Sequence, residues 1–225
     1  MSAVFVTSTG TDIGKTFITA GLVRLMREQG ASVDALKPVV SGYDSSTAAT
    51  SDPAVLLAAL GRPVTAETIG QISPWRYRAP LSPDVAAARE GGHIDVPAVI
   101  DLSRKAIARA GGTLLIEGVG GVMVPLDGKL TVLDWIEALE IPALLVVGSY
   151  LGSISHTLTT LQVLADRKVP VAAIVISESE RSAVPLDDTA DSIARFAGDT
   201  PVIAMPRLPK GVRFHAAFHQ IARLL

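Results

Sequence analysis

Thr7-Ser8-Thr9-Gly10-Thr11-Asp12-Ile13-Gly14-Lys15-Thr16 decides how this chain folds. The stretch follows the short apolar run Ala3-Val4-Phe5-Val6. It leads into a segment where Phe17, Ala20, Gly21, Val23, Leu25 and Met26 recur on a helical period until Gly30 stops it. A strand, a loop of small residues and a helix, in that order, form a phosphate-binding loop. Backbone N–H groups close around phosphate oxygens, and the helix aims its positive end at them. The Lys15 ammonium reaches the terminal phosphates, and the Thr16 hydroxyl is placed to ligate magnesium. The general pattern asks for glycine where Thr9 stands, and here glycine comes one step later, at Gly10.

Outward from this loop the alternation continues. Runs rich in β-branched residues and leucine at 3–6, 33–37, 113–117, 142–148, 171–177 and 201–205 predict strands. Helical patterns lie between and after them, at 16–29, 53–60, 97–110, 132–139, 155–166, 187–197 and 214–225. Strands alternating with helices predict an α/β fold of the P-loop NTPase kind, a mostly parallel twisted sheet with helices on both faces. Residues 43–83 interrupt the rhythm with a Ser/Thr-rich stretch and several prolines, and read as long functional loops around one helix. No repeat, charge block or low-complexity tract divides the chain, so residues 1–225 are expected to form one domain.

Composition removes whole classes of function. With no cysteine in 225 residues, thiolate catalysis, disulfides and zinc–cysteine or iron–sulfur sites are excluded. Twenty Lys and Arg against 22 Asp and Glu leave a net charge of −2, so no basic field exists to hold nucleic acid or an anionic membrane. The apolar runs are far shorter than the roughly 18 to 20 residues a spanning helix needs. The N-terminal stretch lacks the basic and long apolar regions of a signal peptide, and a cytoplasmic, soluble protein is expected.

In an open parallel sheet, ligands sit beyond the carboxyl ends of the strands, so residues just after each run carry the chemistry. Glu117 ends the run Thr113-Leu114-Leu115-Ile116 and precedes Gly118-Val119-Gly120-Gly121, which places a carboxylate beside a flexible loop as a candidate magnesium ligand. Asp52 is a second such carboxylate, although Ser51-Asp52-Pro53 equally reads as a helix N-cap. Lys37 ends the second strand on the same rim as the phosphate loop, or is a solvated lysine at a strand end. Gly148-Ser149-Tyr150-Leu151-Gly152-Ser153-Ile154-Ser155 is another turn of small residues into a helix, whose N–H groups suit a carboxylate. His215 and His219 are spaced like metal ligands but lack a third, and read as a solvated pair. Asp134 and Trp135 read as a cap and a core residue, and Trp75 as a loop residue.

Together the loop at 9–16, Lys37-Pro38-Val39-Val40-Ser41-Gly42, Ser51-Asp52, Leu81-Ser82-Pro83, Arg89-Glu90-Gly91, Ile116-Glu117-Gly118-Val119-Gly120-Gly121 and Leu151-Gly152-Ser153-Ile154-Ser155-His156 resemble the dethiobiotin synthetase family over most of the chain. The resemblance implies an ATP- and Mg2+-dependent ligase of biotin biosynthesis, in which 7,8-diaminononanoate takes up CO2 and closes to a cyclic urea. It implies catalytic roles for Lys15, Lys37 and Thr11, and magnesium on Thr16, Asp52 and Glu117. The nucleotide would lie on Asp12, Ile13, Gly14, Lys15, Thr16, Phe17, Glu117 and Ser177. The diamine would meet Thr11, Lys37, Ser41, Gly118 and Gly120, with its carboxylate on Leu151, Gly152, Ser153 and Ser155 of a second subunit in a homodimer. The chain departs from the family at Ser8 and Gly10, where Gly and Asp are usual, at Asp12 for Glu, and at Ser155 for Asn. At the base site Ser177-Glu178 stands in place of Asn-Asp, which implies a looser choice of nucleoside triphosphate.

Two other readings share the fold. A regulatory P-loop ATPase of the partitioning or septum-positioning type carries a signature lysine that would fall at position 10, where this chain has Gly10. A related ATP-dependent synthetase with another carboxylic substrate is opposed by the domain size and by the Lys37 segment.

Overall fold

The computed structural model describes residues 2–225. Its centre is a strand of mixed small and apolar residues, β1 (Ser2–Ser8), whose last five residues are fully buried. After the phosphate loop come α1 (Lys15–Glu28), β2 (Val33–Leu36) and β3 (Val39–Ser41). A 3-10 turn (Ser45–Thr50) then leads to α2 (Asp52–Ala59), α3 (Ala66–Ile72), β4 (Trp75–Tyr77) and α4 (Pro83–Arg89). The remainder is α5 (Val96–Arg109), β5 (Thr113–Glu117), α6 (Val132–Leu139), β6 (Ala143–Gly148), α7 (Ser153–Asp166), β7 (Val171–Ser177), α8 (Leu186–Ala194), β8 (Val202–Met205) and α9 (Ala216–Ala222).

Six of the strands form one parallel sheet in the order β2-β5-β1-β6-β7-β8. β1 therefore has β5 on one side and β6 on the other. The chain winds outward from it in both directions, and such a switch point opens a crevice beyond the carboxyl ends of the strands. Flanking helices cover the sheet, with α1 packed on α2 and α9, α5 on α6, and α7 on α8. This explains why β6 is buried along its whole length, an apolar run without alternation. Phe5 meets Trp135 edge-on at 4.8 Å, and the buried Trp135 Nε1 donates to Ser103 Oγ at 3.1 Å.

The expected α/β architecture is the observed one, and the differences are local. Residues 43–83 are not loops around one helix. They contain α2, α3 and β4, which pairs in parallel with β3 just before them. Trp75 is thus a strand residue and not a loop residue. Strands of three residues are too short to show a period, and this pair exists because tertiary packing aligns it. The helix expected from 155 starts at Ser153, because Gly152 takes φ +96, a left-handed conformation open to glycine. The last helix begins at Ala216, where His215 Nδ1 accepts from Ala217 N at 3.2 Å, so this histidine is a cap. Asp134 forms the capping box of α6 with Thr131. No helix among the described residues is long and apolar enough to cross a membrane.

Candidate active site

The phosphate loop runs from the end of β1 to the start of α1. Gly14 takes φ +103, and a Cβ there would lie 2.6 Å from Ser177 Oγ, so glycine alone lets this turn pack against the end of β7. Lys15, the first residue of α1, is only 7% exposed. Its ammonium donates to Gly120 O at 2.8 Å, Ser8 Oγ at 3.0 Å and Gly10 O at 3.2 Å. Burial, reinforced by the nearby positive charge of Lys37, lowers its pKa to about 8.

Next to it lies a cluster of charges, two of them buried and the third, Asp52, half exposed. Glu117, at the carboxyl end of β5, is completely buried. Its Oε1 accepts a close hydrogen bond from the Lys37 ammonium and another from Thr16 Oγ1 at 2.6 Å. Its Oε2 is buried without a partner. Lys37 follows β2 directly and is itself 3% exposed. Its backbone is pinned on both sides, with its N–H on Ile72 O at 3.1 Å and its carbonyl accepting from the buried Ser73 Oγ at 2.6 Å. Asp52 Oδ2 stands 3.0 Å from Lys37 Nζ. The Asp52 side chain is committed to this ion pair, while Ser51 occupies the N-cap position of α2. Burial alone would push the Lys37 ammonium down, but Glu117 and Asp52 hold it above its ordinary value. Burial would likewise raise Asp52, and Lys37 holds it below the usual carboxylate range.

A cavity of about 850 Å³ opens over this cluster. Thr11, Asp12, Ile13, Gly14, Lys15, Thr16, Phe17, Lys37, Ser41, Asp52 and Gly120 all line it. Glu117 sits beneath this wall. Gly118 lies off the wall as well, where a Cβ would meet the Phe5 ring at 2.8 Å. A second cavity of about 1020 Å³ shares the stretch from Thr11 to Gly14, and Phe17, with the first and extends to Ser177. One loop thus forms a wall between two concave sites.

Leu151, Gly152, Ser153 and Ser155 line neither cavity of their own chain. Leu151 is 86% exposed, while Ser153 is buried in the first turn of α7. The residues on either side, Tyr150 and His156, do face the second cavity, and Tyr150 Oη bonds His156 Nδ1 at 2.8 Å.

Several wall residues escaped the sequence reading. Tyr43, Asp44, Thr47, Thr50, Pro80 and Val124 also line the first cavity. The readable signal among them is Asp44-Ser45-Ser46, an Asx turn in which Asp44 Oδ1 accepts from Ser46 N at 2.8 Å. Glu180, Arg181, Pro206, Arg207 and Leu208 complete the second and carry no motif.

Among the described residues no group of three or more His, Cys, Asp or Glu is placed to hold a metal ion. His219 instead faces Gln29 Nε2 at 3.4 Å. Two carboxylates and a hydroxyl remain, in Glu117, Asp52 and Thr16, with the unpartnered Oε2 available. That hard-oxygen set fits Mg2+, which takes one or two carboxylates and completes its shell with water and phosphate oxygens.

A family model described as an AAA domain matches residues 2–212. The ATP-dependent dethiobiotin synthetase BioD of Caulobacter sp. (strain K31) is 52% identical over 208 residues, covering 92% of this chain and 89% of that protein. The protein of the same name from Acidiphilium cryptum (strain JF-5) is 46% identical over 202 residues, covering 89% of this chain and 91% of that protein. Among solved structures, the septum site-determining protein MinD complexed with Mg-ADP from Pyrococcus horikoshii OT3 superposes with a TM-score of 0.56 at 16% identity, covering 98% of this chain and 94% of that one. Hydrogenase maturation factor HypB from Archaeoglobus fulgidus gives 0.57 at 13% identity, covering 99% and 87%. At those identities the structural likeness speaks for the fold alone.

Proposed function

The chain belongs to the ATP-dependent dethiobiotin synthetase family, and on that premise we propose that it carboxylates 7,8-diaminononanoate and closes the product to dethiobiotin through a carbamate. It is an ATP-dependent ligase of biotin biosynthesis, and residues 1–225 act as one catalytic domain. The observation that carries the chemistry is the shared wall: the phosphate loop faces one cavity holding Lys37, Asp52 and Ser41, and a second that ends at Ser177.

In the proposed sequence an amine of the substrate adds to CO2 and loses a proton, giving a carbamate. A carbamate oxygen attacks the γ-phosphorus of ATP and ADP departs, which leaves a carbamic-phosphoric anhydride. The second amine attacks the carbonyl carbon and gives up a proton, phosphate leaves and the urea ring closes. Each step moves negative charge between carbamate, phosphoryl group and leaving phosphate. Fixed cations beside those oxygens lower the barrier without reorganising. Lys15 supplies one from the loop side and Lys37 the other from the strand end. Thr11 and Ser41, on the same cavity wall, hold the reacting end of the diamine. The loop N–H groups from Asp12 to Thr16, with Phe17 packed beside them, take the triphosphate, and Ser177 closes the base end.

Thr16, Asp52 and Glu117 would hold magnesium, which when bound offsets the charge of the triphosphate. The same two carboxylates hold Lys37, so its ammonium is kept charged and aimed at the cavity. Gly118 and Gly120 keep the strand-end loop narrow beside the diamine. The substrate carboxylate is held by Leu151, Gly152, Ser153 and Ser155 of a second copy. The placement of these residues away from their own chain's cavity, with Leu151 in solvent, supports a homodimer with shared sites.

The test incubates the protein with 7,8-diaminononanoate, bicarbonate and MgATP, and follows phosphate release and the cyclic urea by mass spectrometry. Equal amounts of both are expected. Slow phosphate release indifferent to the diamine would refute the assignment and favour a switch ATPase or another substrate.

A further inference from the structure

The three N–H bonds of the Lys15 ammonium are all spent inside the protein, on Ser8 Oγ, Gly10 O and Gly120 O. Two of these acceptors are backbone carbonyls, available whatever side chains the loop carries. The third exists only because residue 8 is serine. Ser8 is fully buried at the end of β1. Its hydroxyl hydrogen has Gly10 O at 2.5 Å and Gly120 O at 3.0 Å as acceptors. With that hydrogen pointed at a carbonyl, the oxygen lone pairs are left for the lysine at 3.0 Å and for the Gly10 N–H at 3.4 Å. The Ser8 backbone joins the same unit, since its carbonyl accepts from Val122 N at 3.0 Å. Ser8 therefore ties the start of the phosphate loop, the loop after β5 and the Lys15 side chain into one buried network.

We propose that Ser8 is a positioning residue that competes with the nucleotide for Lys15, holding the ammonium in the protein's own network so that phosphate oxygens must take it over. The proposal rests on the reading that Lys15 meets the transferring phosphates. An ammonium has three donors, and a phosphate contact requires the release of at least one present acceptor. A bond made in the free protein and given up in the complex lowers affinity by the strength of that bond, so its removal raises affinity. A merely structural hydroxyl would behave differently. Its loss would weaken the free and the bound protein alike and leave nucleotide affinity where it was.

The test compares Ser8→Ala, Ser8→Gly and Ser8→Thr with the original chain, using calorimetric titration with a non-hydrolysable ATP analogue and magnesium, and steady-state kinetics with ATP. Ser8→Ala and Ser8→Gly should bind the analogue about tenfold more tightly, the scale of one hydrogen bond to a charged group. KM for ATP should fall by a similar factor with a much smaller change in kcat, and Ser8→Thr, which keeps the hydroxyl, should bind like the original. Ser8→Cys conserves the volume with a poorer acceptor. It should show a smaller gain of the same sign, and it serves if the Ala and Gly variants do not fold. Unchanged or weaker binding in the folded variants overturns the proposal. The reading of Lys15 fails separately, by near-normal turnover in Lys15→Ala.

Discussion

Replacing Glu117 with glutamine keeps the shape of a fully buried side chain and removes its charge. In the protein as it stands, Glu117 and Asp52 share the Lys37 ammonium, and Lys37 has almost no access to water. Taking one partner from a buried ion pair costs about 3–5 kcal/mol, because the remaining charge is left poorly compensated. Here the loss belongs at the low end, about 3 kcal/mol. Asp52 remains 3.0 Å away, and the amide oxygen of glutamine can still accept one bond. For a chain of this length each kcal/mol moves Tm by roughly 2–4 °C, so a fall of about 6–12 °C is expected. The assay is a thermal melt followed by circular dichroism, without nucleotide or magnesium. Lys37→Met combined with Glu117→Gln removes the stranded charge as well, and should melt higher than Glu117→Gln alone. If Glu117→Gln melts within about 2 °C of the original chain, or if the two substitutions destabilise additively, the buried-pair reasoning is wrong. The same variant should also need more magnesium for half-maximal turnover, and an unchanged titration would remove Glu117 from the set of metal ligands.

Lys15→Ala should lower kcat by about a hundred- to a thousandfold, since it deletes a donor that matters most as charge develops on the transferring group; turnover near normal would refute its role. Because burial brings the Lys15 pKa to about 8, the ammonium is present below that pH and lost above it. kcat/KM for ATP should therefore fall as pH rises through about 8, and a profile flat to pH 9 would contradict this. Leu151→Arg should weaken the dimer in sedimentation and raise KM for the diamine far more than KM for ATP. An intact dimer with an unchanged diamine KM would place the carboxylate elsewhere. With Ser177 in place of an asparagine, ATP, GTP and CTP should give kcat/KM values within about tenfold of one another, and a preference for ATP above a hundredfold would sink that expectation.

The fold was legible because its signals are repetitive. Six strands recur with helices between them, and the inner strands β5, β1, β6 and β7 are buried along most of their length, so hydrophobic runs of strand length mark them directly. The phosphate loop was legible for a different reason: backbone geometry there restricts residue type, and Gly14, with φ +103 and Ser177 packed against it, tolerates no side chain. Beyond the helix at 53–60, the stretch from β3 to β4 was opaque because neither condition applies. Strands β3 and β4 have three residues each. Their pairing depends on neighbours distant in sequence, such as Ser73 beneath Lys37.

The site divides along the same line. Lys15, Lys37, Asp52 and Glu117 were identifiable one at a time from their places at strand and helix ends. Their mutual dependence was not, because it lies in distances between elements far apart in the chain. Asp52 shows the difference most clearly. By sequence it is as much a helix cap as a ligand; in the structure Ser51 takes the cap position and the Asp52 carboxylate pairs with Lys37 Nζ at 3.0 Å, fifteen positions earlier in the chain. That lysine is in turn held by Glu117, eighty positions later. A cluster of two buried cations with a buried and a half-exposed carboxylate is costly to desolvate and contributes little net stability compared with an apolar core. Its place at the switch point of the sheet, under a cavity that the phosphate loop faces, is what the proposed chemistry asks for: fixed charges where negative charge moves.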